Sequence, residues 1–236
     1  MNYGCKDLIA VITGGTSGIG RACAELLVRD GAKVFILARH PKKIKGCEFV
    51  ACDVTKRTSV KKAVASIIKK TGRIDVVINS AGVYLEQRVE KFTDKEFAII
   101  MDTNVLGTML ICQAVLPYMD NGVIVNVASD AGINGNYGCA VYSASKGAVV
   151  AFSKSLALDV APKVRVNCVC PADTDTPLMR KQCKKGHYTL EQCAEPYPLK
   201  RIAMPKEIAH VICSVASPAN GFMTGAVISV DGGIGV

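Results

Sequence analysis

The chain has 236 residues, of which 50% are hydrophobic and 21% are charged. This length suits one large domain, and so apolar a composition excludes a mainly disordered protein. The unbroken apolar runs are far shorter than the ~20 residues that cross a bilayer, and no basic segment leads into a long apolar one near the N-terminus. We therefore predict a cytoplasmic protein without a membrane segment.

Cysteine content and charge argue against two further classes, metal-binding or disulfide-linked proteins and nucleic-acid binders, of which the nucleic-acid binder remains an alternative. The 11 cysteines are odd in number and include no Cys-x-x-Cys pair, so we predict buried free thiols and neither disulfides nor a metal site. The net charge of +9 comes from lysine clusters such as Lys42-Lys43, but only 6% of the residues are aromatic and none is tryptophan. A solvated basic surface is favoured, with no nucleic-acid partner.

Short β-branched apolar runs alternate with helical segments along the chain. The predicted strands are residues 8–12, 33–38, 48–51, 74–78, 123–127, 164–169 and 226–230. The predicted helices 21–30 and 59–71 stop at Gly31 and Gly72, and Thr93 with Glu96 forms a capping box that opens another. This alternation predicts an α/β Rossmann fold, in which a doubly wound, seven-stranded parallel sheet lies between two helical layers.

The domain organisation follows from what is missing between these elements. No linker, repeat or change of composition divides the chain, so residues 1–236 are predicted to form a single domain. The longest stretch without a predicted strand, at about 173–204, follows the sixth strand. We interpret it as a substrate lid, and a plain surface insertion is the alternative.

A glycine-rich turn joins the first predicted strand to the first helix. Glycines let a backbone turn tightly and approach a pyrophosphate, and the helix that follows presents free N–H groups to the phosphate charge. The position between strand and helix indicates a dinucleotide site, although the spacing differs from the common Gly-x-Gly-x-x-Gly. The residues that we assign to it are Gly14, Thr16, Ser17, Gly18, Ile19 and Gly20.

The end of the second strand indicates which dinucleotide binds. A carboxylate there would bind a ribose 2′-hydroxyl and repel a 2′-phosphate, but this strand runs into Arg39. A guanidinium can form a charge-assisted fork with a phosphate. NADP(H) is therefore favoured over NAD(H), and the alternative is that Arg39 stacks on adenine or points to solvent.

Tyr142 and Lys146 are four residues apart on a predicted helix. That spacing places the phenol and the ammonium on one helix face, ~6 Å apart along the axis. Bringing a phenol from a pKa near 10 to about 7 requires roughly 4 kcal/mol, which one cation at about 4 Å and an effective dielectric of about 20 can supply. The pair therefore indicates a proton donor and acceptor that works near neutral pH.

Taken together, these motifs resemble the short-chain dehydrogenase/reductase family. The resemblance covers essentially the whole chain in order. It is carried by the turn at 13–20, Asn79-Ser80-Ala81-Gly82, Asn104, Ser129, the Tyr142/Lys146 pair and the closing Asp231-Gly232-Gly233. The chain is most similar to the members of the family that reduce 3-oxoacyl groups on a carrier protein.

The resemblance implies a role for each catalytic position. Tyr142 would be the acid and base, while Lys146 would lower its pKa and hold the nicotinamide ribose. Ser129 would polarise the substrate carbonyl, and a hydroxyl beside the phenol also suits a developing alkoxide on chemical grounds alone. The role of Asn104, anchoring a water relay to the lysine, rests on the resemblance alone.

The resemblance also implies further cofactor contacts. Asp53 and Val54 would meet the adenine, although an aspartate at a strand end is also a common turn former. Two positions depart from the family pattern, because Ser80 replaces a second asparagine and Ala172 follows Pro171 where glycine is usual. These departures bear on the contacts of Asn79, Ser80, Ala81, Gly82, Pro171 and Ala172, while Thr174 and Thr176 still offer hydroxyls to the nicotinamide end.

The resulting hypothesis is an NADP(H)-dependent enzyme that interconverts a ketone and a secondary alcohol. The substrate would be a small molecule or a carbonyl group linked to an acyl carrier, and sugar, polyol, hydroxysteroid or anionic ketone substrates remain alternatives. A non-catalytic NADP(H)-sensing protein is the alternative from another class, but it would not need the full catalytic set. The family also implies a homo-oligomer, a tetramer or a dimer.

Overall fold

A computed structural model describes residues 2–236 and contains one sheet of seven parallel strands. The strands are β1 Ile9–Thr13, β2 Lys33–Ala38, β3 Cys47–Ala51, β4 Val76–Asn79, β5 Gly122–Val127, β6 Val164–Pro171 and β7 Val227–Val230. Their order across the sheet is β3-β2-β1-β4-β5-β6-β7. The chain thus winds outward from β1 to one edge and returns to the centre at β4, which creates a crevice at the carboxyl ends of β1 and β4.

Nine α-helices lie in the part of the chain described here, and the longer ones cover the two faces of the sheet. They are α1 Gly18–Arg29, α2 Arg57–Thr71, α3 Asp94–Met101, α4 Gly107–Val115, α5 Ala131–Asn134, α6 Ala140–Val160, α7 Pro177–Gly186, α8 Leu190–Ala194 and α9 Pro205–Ala216. One core packs Leu27 of α1 and Ile212 of α9 against the sheet. The other packs Ile67 of α2 and Ile111 of α4 against the opposite face. The predicted three-layer Rossmann fold is confirmed.

All seven predicted strands are present, with shifts of two residues at two of their ends and of at most one residue at the others. β4 begins at Val76 and not at Ile74, because the Ile74 N–H donates to the carbonyl of Tyr118, 3.0 Å away and outside the sheet. β6 continues to Pro171, because Cys170 and Pro171 pair with Ser229 and Val230 of β7. These ends depend on partners that are distant in sequence.

The local signals for the helix ends are confirmed, but α1 begins at Gly18 and α2 at Arg57, two or three residues before the predicted starts. Thr93 accepts from the Glu96 N–H, and the Glu96 carboxylate accepts from the Thr93 N–H, so the capping box opens α3. The α2 helix ends at Gly72, which has a φ of 73° that a side chain would disfavour. All eleven cysteines are free thiols, as predicted.

One continuous helical stretch passes a length and composition test for a membrane span. It runs over Asp94–Tyr118, has 25 residues and a mean hydropathy of 1.6, and 44% of its most apolar window is buried inside the protein. Our expectation considered only unbroken apolar runs and missed this stretch. Core helices of soluble proteins pass the same test, so the finding is weak support for a membrane segment.

The predicted lid contains two helices, α7 and α8, and its two ends lie together. Thr174 and Ala203 form an isolated parallel bridge, and the Asp175 N–H donates to the Ala203 carbonyl at 2.9 Å. The intervening chain therefore leaves the sheet and returns at one place. This brings α7 over the crevice at the carboxyl ends of the strands, where it lines the cavity described next.

Candidate active site

A cavity of about 620 Å³ lies along the carboxyl ends of the strands. Its wall collects predicted site residues from all parts of the chain. These are Gly14, Thr16, Ser17, Gly18, Ile19, Arg39, Asp53, Val54, Ser80, Ala81, Gly82, Ser129, Tyr142, Lys146, Pro171, Ala172, Thr174 and Thr176. Gly20, Asn79 and Asn104 are buried and do not line the cavity.

The glycine turn is shaped by close backbone contacts. Gly14 has a φ of 67°, and a Cβ there would lie 2.9 Å from the Ser80 carbonyl oxygen. A Cβ on Gly20 would lie 2.7 Å from the Gly14 carbonyl oxygen. Gly20 therefore allows the close backbone packing of the turn, although it does not line the cavity. Any side chain at either position would displace the backbone of the turn.

The start of α1 leaves donors free for an anion. Ser17 occupies the N-cap position, and its side chain caps no N–H group of the helix. The first N–H groups of a helix have no partner within it, and the positive end of the helix dipole lies there. Together with the glycine turn, this end of α1 fits the pyrophosphate of a nicotinamide dinucleotide.

Arg39 and Asp53 lie at the far end of the cavity from Tyr142 in the order of the sheet. The Asp53 carboxylate accepts from the N–H and the hydroxyl of Thr55, at 3.0 and 2.8 Å, so it acts as a turn former even though it lines the cavity. Within residues 2–236, Arg39 takes part in none of the salt bridges. Its guanidinium remains available to a ligand.

The catalytic side chains come from α6 and from the segment after β5. Tyr142 and Lys146 share one face of α6, and the Lys146 ammonium lies 5.9 Å from the centre of the Tyr142 ring. Lys146 donates to the Val127 carbonyl at 3.0 Å, which fixes its position near the end of β5. The ring of Tyr84 packs edge-on against Tyr142 with 4.7 Å between ring centres.

The protonation equilibria differ from the sequence-based expectation in one respect. Burial raises the pKa of the Tyr142 phenol above its ordinary value, while the hydrogen bond with Ser129 acts in the opposite direction. Burial also lowers the pKa of the Lys146 ammonium to about 8. In the free protein, burial is therefore the largest influence on the phenol pKa, in contrast to the expected lowering by the lysine.

Asn104 lies at an irregularity of the helix that the sequence did not reveal. It is part of a π-helical turn, Asp102–Leu106, between α3 and α4. Its side chain accepts from the Val83 N–H at 2.8 Å and donates to the Val83 carbonyl at 3.0 Å. A Cβ on Gly82 would lie 3.3 Å from the Asn104 amide oxygen and 3.6 Å from the Lys146 nitrogen, so both groups converge on Gly82.

The departures from the family pattern are accommodated locally. The Ser80 and Ala81 N–H groups both donate to the Thr13 hydroxyl, at 3.1 and 3.0 Å, so the backbone after β4 is fixed without a second asparagine. Asn79 lies in the core, where its amide donates to Asn126 at 2.9 Å. Ala172 does not adopt a positive φ, so the turn after β6 does not require glycine.

Several polar residues of the cavity wall were not predicted. Glu86 accepts hydrogen bonds from Gln182 of α7 and from Tyr188, and all three side chains line the cavity. Asp130 and Asp173 lie on the same wall. These residues come from separate loops, so no spacing in the sequence indicated that they would meet.

The fold and the site define a nicotinamide-dependent oxidoreductase. The family model described as enoyl-(acyl carrier protein) reductase matches residues 14–235. The chain therefore belongs to the short-chain dehydrogenase/reductase family, and it acts on keto or hydroxy groups.

Three similar proteins illustrate its relationships. The chain is 34% identical to a 3-oxoacyl-(acyl-carrier-protein) reductase of Thermotoga maritima, over 96% of this chain and 97% of that protein. It is 36% identical to the human 3-hydroxyacyl-CoA dehydrogenase type-2, over 97% of this chain and 95% of that protein. The ligand-free aldohexose dehydrogenase of Thermoplasma acidophilum superposes with a TM-score of 0.95 at 33% identity, covering 99% of this chain and 96% of that one.

Proposed function

We propose that the protein is an NADP(H)-dependent oxidoreductase that interconverts a ketone and a secondary alcohol. The observation that carries this proposal is the placement of Ser129, Tyr142 and Lys146 on one cavity wall together with the glycine turn. The bound nicotinamide supplies or accepts the hydride. Tyr142 gives a proton to the carbonyl oxygen or removes it from the alcohol.

The other residues prepare Tyr142 and the substrate for this step. Ser129 donates a hydrogen bond to the oxygen that gains negative charge during reduction. Lys146 holds positive charge near the phenol and offers donors to the nicotinamide ribose. Asn104 holds the backbone at Val83, beside Lys146, and is available to anchor a water.

The preference for NADP(H) rests on Arg39. We expect Arg39→Asp to lower kcat/KM for NADPH by about 100-fold while leaving that for NADH unchanged or higher, because it removes a charge-assisted bond of about 3 kcal/mol and repels the 2′-phosphate. Steady-state rates with each nucleotide measure this. Lys61→Asp, on the exposed face of α2, makes the same change in net charge and should leave the nucleotide preference unaltered. Equal use of both nucleotides by the unmodified enzyme would contradict the assignment.

Two substrate classes are candidates. The names of the relatives support a 3-oxoacyl thioester, carried on a carrier protein or on coenzyme A. The cavity wall supports a hydroxyl-bearing substrate such as a sugar or polyol, because the Glu86 side chain offers hydrogen-bond acceptors there. A carboxylate at Glu86 would repel an anionic ketone, so this part of the wall does not favour that alternative.

A variant of Glu86 separates the two candidates. We expect Glu86→Leu to raise KM for a hydroxylated ketone about 10-fold or more, because a carboxylate that accepts a substrate hydroxyl contributes about 1.5–3 kcal/mol. The rate with acetoacetyl thioester should change little. Glu90→Leu, in the exposed 3₁₀ helix Val89–Lys91, is the matched control, since it breaks only a surface salt bridge with Arg88. If the unmodified enzyme reduces only the thioester, the polyol candidate is excluded.

We further propose that the enzyme is a cytoplasmic homo-oligomer, a tetramer or a dimer. Large apolar side chains are exposed on the helical stretch 94–118 and on α6, including Phe97, Leu106 and Leu158. Packing against a second copy would remove this apolar surface from water. A non-catalytic sensor would not require Ser129, Tyr142 and Lys146 to converge.

A further inference from the structure

A carboxyl group contacts the hydroxyl that is placed to bind the substrate oxygen. Ser129 Oγ lies 2.8 Å from Asp130 Oδ1, and it also accepts from the Ala131 N–H at 3.2 Å. The backbone of Asp130 is fixed, because its N–H donates to the Pro171 carbonyl at 3.0 Å and its carbonyl accepts from the Asn134 N–H at 2.9 Å. Asp130 therefore holds a defined position beside Ser129 on the cavity wall.

The contact with Asp130 limits what Ser129 can donate to a substrate. A serine hydroxyl has one proton to donate and two lone pairs that accept. When Asp130 is ionised, it can only accept, so the single proton of Ser129 points to Asp130 and is withheld from the substrate. When Asp130 is protonated, it donates to Ser129, and the Ser129 proton is free to face the cavity.

The surroundings of Asp130 raise the pKa of its carboxyl group. Asp231 after β7 acts on Asp130 electrostatically, Asp130 acts in the same way on Asp173 after β6, and within residues 2–236 none of the salt bridges includes Asp130. Tyr142 and Tyr197 also lie close enough to Asp130 and Asp173 for these carboxyl groups to act on their phenols. Lys146 is engaged with the Val127 carbonyl. Burial is the largest cause of the raised pKa of the Asp130 carboxyl, the hydrogen bond from Ser129 lowers that pKa in part, and the charge of Asp231 raises it further.

We propose that Asp130 is a positioning residue that sets the direction of the Ser129 hydroxyl, releasing its proton to the substrate carbonyl when Asp130 is protonated. This inference rests on the proposed reductase activity. It holds for either substrate class, because it concerns only the oxygen that is reduced.

The pH profile of carbonyl reduction tests the proposal. In the unmodified enzyme, kcat should fall as pH rises through the pKa of Asp130, by about tenfold for each unit as a single ionisation requires. The asparagine in Asp130→Asn is always neutral and can donate to Ser129. The falling limb of the pH profile, in which kcat decreases as pH rises, should therefore disappear in this variant, while the rate at low pH is retained. Asp120→Asn, an exposed position, should keep the limb.

Two further measurements distinguish positioning from a structural role. Ser129→Ala leaves Asp130 in place and should lose the same limb, and adding Asp130→Asn to it should have no further effect. Infrared difference spectra should show a carboxylic-acid C=O band that titrates at the same pH and is missing in Asp130→Asn. This spectroscopic readout needs no turnover, so it separates failure of the inference from failure of the proposed function. A limb that persists in Asp130→Asn, or the absence of the band, would overturn the proposal.

Discussion

Tyr142→Phe is expected to lower kcat for carbonyl reduction by about 1000-fold, which is within the contribution of a positioned general acid. The substitution removes only the phenolic oxygen, and the ring keeps its edge-on contact with Tyr84. NADPH should therefore still bind with nearly unchanged affinity. Stopped-flow measurement of nucleotide binding and of its oxidation separates the two effects.

Tyr84→Phe is the matched control for this variant. Tyr84 lines the same cavity, and its hydroxyl contacts the Cys139 thiol at 2.9 Å, away from the role proposed for Tyr142. Its loss should change kcat by less than about tenfold. Equal losses in the two variants would indicate that the phenol of Tyr142 has no special part in proton transfer.

Lys146 is expected to impose a pH limit on use of the nucleotide. Burial lowers its pKa to about 8, so the free enzyme carries the ammonium below that pH and a neutral amine above it. Because only the charged form gives a charge-assisted bond to the ribose, kcat/KM for NADPH should fall about tenfold per unit above pH 8. Lys146→Met should abolish this dependence and lower kcat/KM by about 100-fold at neutral pH.

The stability of the Lys146 variant supplies an independent readout. Folding lowers the pKa of this lysine, so the unfolded chain binds the proton more tightly, and the cost of burying the charge is fully present below pH 8. Lys146→Met should therefore be at least as stable as the unmodified protein at pH 7, while being far less active. Lys154→Met, on the exposed side of the same helix, should alter neither property. A large loss of stability in Lys146→Met would mean that the lysine is mainly structural.

The features that the sequence predicted are those decided over a few neighbouring residues. The glycine turn, the Thr93 capping box and the Tyr142/Lys146 spacing each depend on one turn of chain, and all are present in the structure. The strands were found because a parallel sheet buried on both faces requires continuous apolar runs. The strand ends were predicted less accurately than the strands themselves, because ends depend on pairing partners, as where β7 extends β6 to Pro171.

The features that the sequence missed depend on contacts between distant segments. Glu86 meets Gln182 and Tyr188 only because the lid folds over the loop after β4. The π-helical turn at Asn104 leaves no mark in the apolar periodicity. The burial that raises the pKa of the Tyr142 phenol was not predicted either, since burial is a property of the whole cavity wall and not of the helix that carries the residue.

The central claim is that this cavity binds NADPH and presents it to a carbonyl beside Tyr142. The most direct measurement titrates the purified protein with NADPH and follows its fluorescence, then adds a panel of acetoacetyl thioester, sugar ketones and steroids and follows NADPH absorbance. We expect saturable binding of one nucleotide per chain and oxidation with at least one member of the panel. A protein that neither binds NADPH nor oxidises it would contradict the claim.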